Sequence, residues 1–310
     1  MAILVLTHPL PAAPFAAAMR AAAPAGLAVW TEEDAPPPDK VEALLAWRLK
    51  AGVASRYPNL RVVCSIGAGV DKLIGAPDLP PDVAVTRVVD PLQAQTMAQY
   101  VVACALRFTR ELPRYEAQQA RSEWKRHEVR PTSSCRVGIL GQGEVAQAVV
   151  HAFAPLGYPV AVWGRTRREW PGLESFAGDD ELATMLGRTD VLVCTLPLTD
   201  ATRGLLDRRR LSQLPRGAYL INVGRGEQVV EDDLRALLDD SHLAGAALDV
   251  FEREPPRPEH WIWRHPRVFA TPHIAGEARD EVVGVQCLDA LRRAREGLPQ
   301  LLAVNRAAGY

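Results

Sequence analysis

The residues of this chain best suited to hold a charged ligand are glycines and arginines at fixed spacing. Val137-Gly138-Ile139-Leu140 is an apolar run that enters Gly141-Gln142-Gly143-Glu144-Val145-Ala146, and a helical pattern, Val145 to Val150, leaves it. In this G-x-G-x-x-A turn, Gly141 allows the tight bend and Gly143 lets backbone approach a pyrophosphate. Ala146 keeps the helix close to the strand, and the N–H groups of the first helical turn, with Glu144 and Val145, face the phosphates. A plain strand–helix turn fits the same residues, so the motif alone leaves both readings open. The next strand-like run, Val160–Trp163, is followed by Gly164-Arg165-Thr166-Arg167-Arg168. An NAD site places an acid near this strand end, about 20 residues past the glycines, to bind the ribose 2′-OH. Here Arg165 follows the glycine instead, with Thr166 and Arg167 behind it. A guanidinium pairs with a 2′-phosphate and stacks on adenine. The pattern predicts a preference for NADP(H) with NAD(H) still open to it, a solvated basic loop being the alternative.

A second glycine turn, Ser65-Ile66-Gly67-Ala68-Gly69-Val70-Asp71, ends another apolar run, and its N–H groups could hold a carboxylate or simply make a turn. His8, His127, His151, His242, His260 and His265 lack metal-ligand spacing and read as structural or exposed, so no metal is expected. Cys64, Cys104, Cys135, Cys194 and Cys287 are scattered in apolar surroundings without C-x-x-C spacing. They read as small hydrophobes in a reducing compartment.

The elements that must position these turns alternate short apolar runs with helical patterns. Strand candidates in the first hundred residues are Ile3–Leu6, Leu27–Trp30, Ala43–Trp47, Val62–Ile66 and Val83–Val88, a rhythm that predicts a parallel βα sheet. From Gln93 to about Arg121 the pattern is helical, with Pro113 expected to break or kink it. The polar stretch Tyr115 to His127 reads as a connector or an arm that packs on a second subunit, core packing being the default for its aromatics and Trp124 the exception. Further strands, Asp190–Leu196 and those that open the segments Ala218–Gly226, Leu243–Pro255 and Val268–Gly276, each run into polar residues, where open α/β sheets place ligand groups. A closing helix from Glu277 to about Glu296 would bury Val283, Cys287, Ala290, Leu291 and Ala294 and return to the first domain.

Size and composition allow this organisation: 310 residues suffice for two domains, and 48% apolar residues for a large core. A formal charge of −1 gives no field for nucleic acid or an anionic membrane. No basic region precedes Ile3–Leu6, and no apolar run reaches membrane-spanning length, so a soluble, cytoplasmic protein is expected.

Five segments occur together in order: the turn at 141–146, Leu196-Pro197-Leu198-Thr199 with Thr202-Arg203-Gly204, Asn222-Val223-Gly224-Arg225-Gly226, Asp249-Val250-Phe251 with Glu254-Pro255, and Thr271-Pro272-His273-Ile274-Ala275-Gly276. This set resembles the D-isomer-specific 2-hydroxyacid dehydrogenase family. Trp47, Gly67–Asp71, the arginines after Trp163 and the ending Val304-Asn305-Arg306 with Gly309-Tyr310 look like its glyoxylate/hydroxypyruvate reductase A-type branch. Gln99 departs from the glutamate that many relatives carry in the connecting helix.

The resemblance implies an α/β fold of two domains, a Rossmann-type NADP-binding domain (101–276) inserted in a smaller flavodoxin-like substrate domain (1–100 and 277–310). It implies Arg225, Glu254 and His273 as the catalytic group, Glu254 and not Glu252 being the glutamate directly before proline. His273 would protonate the ketone oxygen, Glu254 would hold the imidazole in its charged form, and Arg225 would grip the substrate carboxylate. Leu196, Pro197, Thr202, Val223, Gly224, Asp249, Ala275 and Gly276 would join the turn residues at the cofactor. Ala68, Gly69 and Val70 would bind substrate with Trp47 and Arg225, the substrate lying between domains that close on a hinge. Arg87, Trp124 and Trp263 are further candidates for the pocket wall. The implied activity is NADPH-dependent reduction of small 2-keto acids, glyoxylate and hydroxypyruvate first, by a homodimer. The alternatives are a dehydrogenase for a bulkier D-2-hydroxy acid and a non-catalytic NAD(P)-sensing protein on the same fold.

Overall fold

A computed structural model describes residues 2–309; Met1, and Tyr310 of the C-terminal match, lie outside the described residues. The chain divides into two compact units, one formed by the residues up to Gln93 with those from Glu277 onward, the other by Ala94–Gly276.

The first unit is built on strands β1 (Ala2–Leu6), β2 (Ala28–Thr31), β3 (Val41–Ala46), β4 (Val62–Ser65) and β5 (Ala84–Thr86), with helices α1 (Ala12–Ala22) and α2 (Asp71–Ile74). All pairings are parallel and the order is β2-β1-β3-β4-β5, the flavodoxin-like arrangement. Its central strands are buried along their whole length, as a sheet covered on both faces requires. One face packs on Phe15 and Met19 of α1 and on Val283, Cys287 and Leu291 of the C-terminal helix Asp280–Glu296. Gly284 admits α1 there, since a Cβ would stand 3.1 Å from Met19 Cγ. On the other face Leu44 and Val63 pack on Leu73 and Leu79. The single acid within β3, Glu42, is paired with Arg61 (3.3 Å) and Arg295.

The second unit begins within α3 (Pro91–Thr109) and continues through α4 (Leu112–Ala120) to β6 (Val137–Leu140). The expected break lies just ahead of Pro113: Glu111 takes φ +52° and the proline sits in the first turn of α4, where its missing N–H costs no helical bond. Then come α5 (Glu144–Phe153), β7 (Val160–Gly164), β8 (Glu174–Ala177), α6 (Gly178–Leu186), β9 (Val191–Cys194), α7 (Arg208–Leu211), β10 (Ala218–Asn222), α8 (Glu231–Asp239), β11 (Leu243–Leu248) and β12 (Val268–Ala270). The seven strands are parallel in the order β12-β11-β10-β9-β6-β7-β8. This is the doubly wound Rossmann arrangement with one added strand, its order reversing between β6 and β9. β8 escapes a reading for apolar runs because Glu-Ser-Phe-Ala is a half-buried edge strand. All five cysteines are buried, and no helix of the described residues is long and apolar enough to cross a membrane.

Candidate active site

The glycine turn lies at the point where the strand order reverses. Gly141 has φ +124°, and a Cβ there would stand 2.3 Å from Thr195 Oγ1, so only glycine fits. Gly143 caps α5 with no side-chain hydrogen bond, and a Cβ on it would meet nothing within 4 Å. Glu144 and Val145 lie in the first turn of α5, whose N–H groups have no acceptor within the helix. A backbone surface bared at Gly143, backed by a helix N-terminus, fits a dinucleotide pyrophosphate.

Arg165 and Thr166 are exposed directly past β7. Gly164 lies against the Gln142 side chain, where a Cβ would approach to 2.7 Å, so the strand end and the glycine turn are in contact. Arg168 Nη1 donates to Gln142 O (2.7 Å), fastening the arginine loop to the turn. Arg167 is occupied differently: it donates to Ser175 O (2.7 Å) and pairs with Glu181.

The remaining residues leave neighbouring strand ends. Cys194, Asn222, Leu248 and Ala270, near the carboxyl ends of β9, β10, β11 and β12, lie side by side in register. After β9, Leu196 is buried, and Thr202 Oγ1 donates to Pro197 O (2.7 Å) and accepts from Thr199 N (2.8 Å). After β10, the Val223-Gly224-Arg225 segment is locked by Asn222 and Gln228. Asn222 Oδ1 accepts from Gly224 N (3.0 Å) and its Nδ2 donates to Arg225 O (2.9 Å). Buried Gln228 accepts from Arg225 N (2.9 Å) and donates to the carbonyls of Leu196 and Pro197. Asn222 and Gln228 carry no chemistry by type, so a search for reactive side chains passes over them. The Arg225 guanidinium donates to Gly224 O (2.8 Å). Gly226 presses on the next loop: a Cβ there would fall 1.8 Å from the carbonyl carbon of Phe251, which brings the Arg225 segment onto the loop that carries Glu254.

Glu254 and His273 meet. His273 Nδ1 lies 3.1 Å from both carboxylate oxygens, with the two side chains 28% and 23% exposed. An ionised carboxylate only accepts, so Nδ1 carries the hydrogen and Nε2 is the nitrogen turned from Glu254. Glu252 is exposed and makes no such contact; its N–H donates to Glu231 (3.2 Å). His273 has φ +57°, uncommon for a residue with a side chain. Asp249, expected at the cofactor, directs both carboxylate oxygens at the His273 loop: Oδ1 accepts from Ile274 N (2.9 Å) and Oδ2 from Ala275 N (2.8 Å). Gly276 ends the segment at the boundary of the unit.

In the first unit, Trp47 follows β3 and the Ile66–Val70 turn follows the adjacent β4, with Ala46 and Ser65 paired in register. The Lys72 ammonium sits 4.9 Å from the centre of a Trp47 ring. Ser65 Oγ accepts from Gly67 N (3.2 Å) and donates to Gly69 O (2.8 Å). Among the described residues, the N–H groups of Ala68, Gly69 and Val70 have no protein acceptor. Of the pocket-wall candidates, Arg87 N donates to Leu302 O (3.1 Å), Trp263 Nε1 donates to Arg257 O (2.9 Å), and Trp124 is 97% exposed.

Comparison with known proteins shows the family of the chain. Residues 102–275 match the NAD binding domain of the D-isomer specific 2-hydroxyacid dehydrogenases. A D-isomer specific 2-hydroxyacid dehydrogenase of Xanthobacter autotrophicus Py2, solved with NADPH and MES, is 38% identical, with TM-score 0.92 over 100% of this chain and 99% of that one. The NADPH-dependent glyoxylate/hydroxypyruvate reductase of Sinorhizobium meliloti, solved with NADP and sulfate, is 34% identical, with TM-score 0.90 over 100% and 99%. A probable 2-hydroxyacid dehydrogenase of Rhizobium etli CFN 42, with NADP, HEPES and L(+)-tartaric acid, is 31% identical, with TM-score 0.89 over 100% and 99%. On a family match over more than half its length and full-length structural likeness at these identities, the chain belongs to the NAD(P)-dependent D-isomer specific 2-hydroxyacid dehydrogenases.

Proposed function

We propose that the protein reduces small 2-keto acids with NADPH, glyoxylate to glycolate and hydroxypyruvate to glycerate, and that Arg225, Glu254 and His273 carry the reaction. The observation that most favours it is the His273–Glu254 pair, an imidazole held through Nδ1 at 3.1 Å from a carboxylate and presenting Nε2 as an acid. When bound, the reduced nicotinamide supplies the hydride to C2. His273 Nε2 gives its proton to the oxygen that becomes the hydroxyl, Glu254 keeps the ring oriented and balances its charge, and Arg225 pairs with the substrate carboxylate and polarises the C2 carbonyl. The unpaired N–H groups of Ala68, Gly69 and Val70 suit a carboxylate, and we propose with Trp47 that this turn and its strand-end neighbour make the first unit the substrate domain.

NADP(H) is the proposed cofactor because Arg165 stands exposed beside the glycine turn with no acid at that strand end, and NADPH or NADP accompanies three similar structures. The proposed assembly is a homodimer through the arm after α4, where Trp124 is almost wholly exposed. The test is absorbance at the nicotinamide band with NADPH and then NADH, against glyoxylate, hydroxypyruvate, pyruvate and a bulky aromatic keto acid. Rapid NADPH oxidation with the first two acids is the expected result. Preference for the bulky acid would assign a different substrate, and tight NADPH binding without turnover on any acid would favour a cofactor-sensing protein.

A further inference from the structure

Thr271, two residues before His273, lies at the centre of a hydrogen-bonded chain that the reaction above does not use. Its Oγ1 is 2.6 Å from Asp249 Oδ1 and 2.6 Å from the Tyr100 hydroxyl of α3. Asp249 already accepts the N–H groups of Ile274 and Ala275, as an ionised carboxylate does. The single Thr271 proton therefore goes to Asp249, and Tyr100 must be the donor to Thr271. Burial raises the Tyr100 phenol well above its ordinary range, and the Cys104 thiol one turn along α3 and the Asp249 carboxylate act in the same direction, so the phenol keeps its proton. The chain of donors runs Tyr100 to Thr271 to Asp249.

Asp249 in turn receives three consecutive backbone N–H groups: His273 on its carbonyl oxygen (2.9 Å), Ile274 on Oδ1 and Ala275 on Oδ2. These bonds bracket the one residue of the loop with positive φ, His273 itself. A left-handed backbone at a residue with a side chain persists when its surroundings fix it. The direction of the imidazole towards Glu254 follows from that backbone angle.

We propose that Tyr100 and Thr271 are positioning residues for His273: they fix the Asp249 carboxylate, which imposes the left-handed backbone that aims the imidazole at Glu254. This rests on His273 being the proton donor of the proposed reaction. The experiment compares Tyr100→Phe, Thr271→Val, Thr271→Ser and His273→Asn in the full-length protein, with glyoxylate and NADPH. We expect kcat to fall about 5-fold in Tyr100→Phe and about 20-fold in Thr271→Val, because small misplacements of a catalytic group are costly. KM for glyoxylate and Kd for NADPH should stay near the parent values in both. The solvent deuterium isotope effect on kcat should rise, as proton delivery becomes slower, and Thr271→Ser, which keeps the hydroxyl, should recover the parent rate. Parent-like kcat and isotope effect in Tyr100→Phe and Thr271→Val, alongside a dead His273→Asn, would overturn the positioning role alone. Failure of Thr271→Ser to recover the rate would also overturn it, and this pair of variants decides the matter should Thr271→Val not fold. Full turnover in His273→Asn would remove the acid assignment and the positioning role together.

Discussion

Arg165 and Arg167 stand two residues apart past one strand end, and their surroundings divide their work. Arg167 is spent on Ser175 O and Glu181, holding the edge strand β8 to α6. Arg165 is exposed next to the turn that Gly164 and Gln142 form together. Arg165→Asp is therefore expected to weaken NADPH binding about 10- to 100-fold, the scale of a lost charge-assisted pair, and NADH binding far less. Isothermal titration with both cofactors checks it, and equal losses would remove the 2′-phosphate role. The sequence makes the arginine cluster legible but not this division, because Glu181 and Ser175 belong to elements whose closeness to Arg167 depends on β8. The family resemblance singles out Glu254 by its place before proline; that Glu252 turns to solvent is decided by the fold of the loop. Asp249 is the instructive case at this scale. Its place at a strand end suggests a ligand, whereas both its oxygens serve the backbone of the next loop.

The elements are joined by turns in which glycines do two different jobs. Gly143 has φ −84° and open space where a Cβ would go. Gly143→Ala should leave the melting temperature within about 2 °C, as expected for a residue that meets no neighbour, while weakening NADPH binding at least about 10-fold by obstructing the phosphates. Gly226→Ala should do the reverse. Its Cβ would lie 1.8 Å from a backbone carbon of Phe251, and overpacking against backbone costs about 3 kcal/mol or more. Thermal melts and cofactor titrations on both variants separate the two roles; a lowered melting temperature in Gly143→Ala with normal NADPH affinity would contradict the assignment. The G-x-G-x-x-A spacing is readable because its partners are local. The need for Gly226 is not, because Phe251 comes from the next strand end. Strand runs were likewise legible wherever both faces are buried, and β8, half-buried at an edge, was not.

At the scale of the whole molecule, chain segments far apart in sequence are tied within the first unit. Arg279 makes a bidentate pair with Asp90 at 3.0 and 2.9 Å, and its N–H adds a third bond at 3.1 Å. The Asp90 side chain is 0% exposed. Gln286 donates to Val89 O and accepts from Val89 N one residue earlier. These bonds join the last residues before the second unit to the first residues after it. The Arg279 hydrogen bonds hold the Asp90 carboxyl down to about 2, from an ordinary 3.8. A depressed carboxyl stabilises the fold above its unfolded value, so its contribution is complete above about pH 5 and disappears as pH falls through 4 to 2. The shift corresponds to about 2 kcal/mol. Asp90→Asn should lose about that much stability at pH 7 in denaturant titrations, with the gap to the parent closing near pH 2. A gap that persists unchanged at pH 2 would contradict this account. Nothing in the sequence announces the pair, since 189 residues separate its members and only the assembled sheet and closing helix bring them together. The alternation of strands and helices that builds each unit is, by contrast, legible except at β8.

The most direct measurement is kcat of His273→Asn for glyoxylate reduction by NADPH, measured beside the parent. Loss of a general acid predicts a fall of at least about 100-fold, with KM and NADPH affinity close to the parent. Turnover within a few-fold of the parent would contradict the role of His273 and with it the proposed reaction.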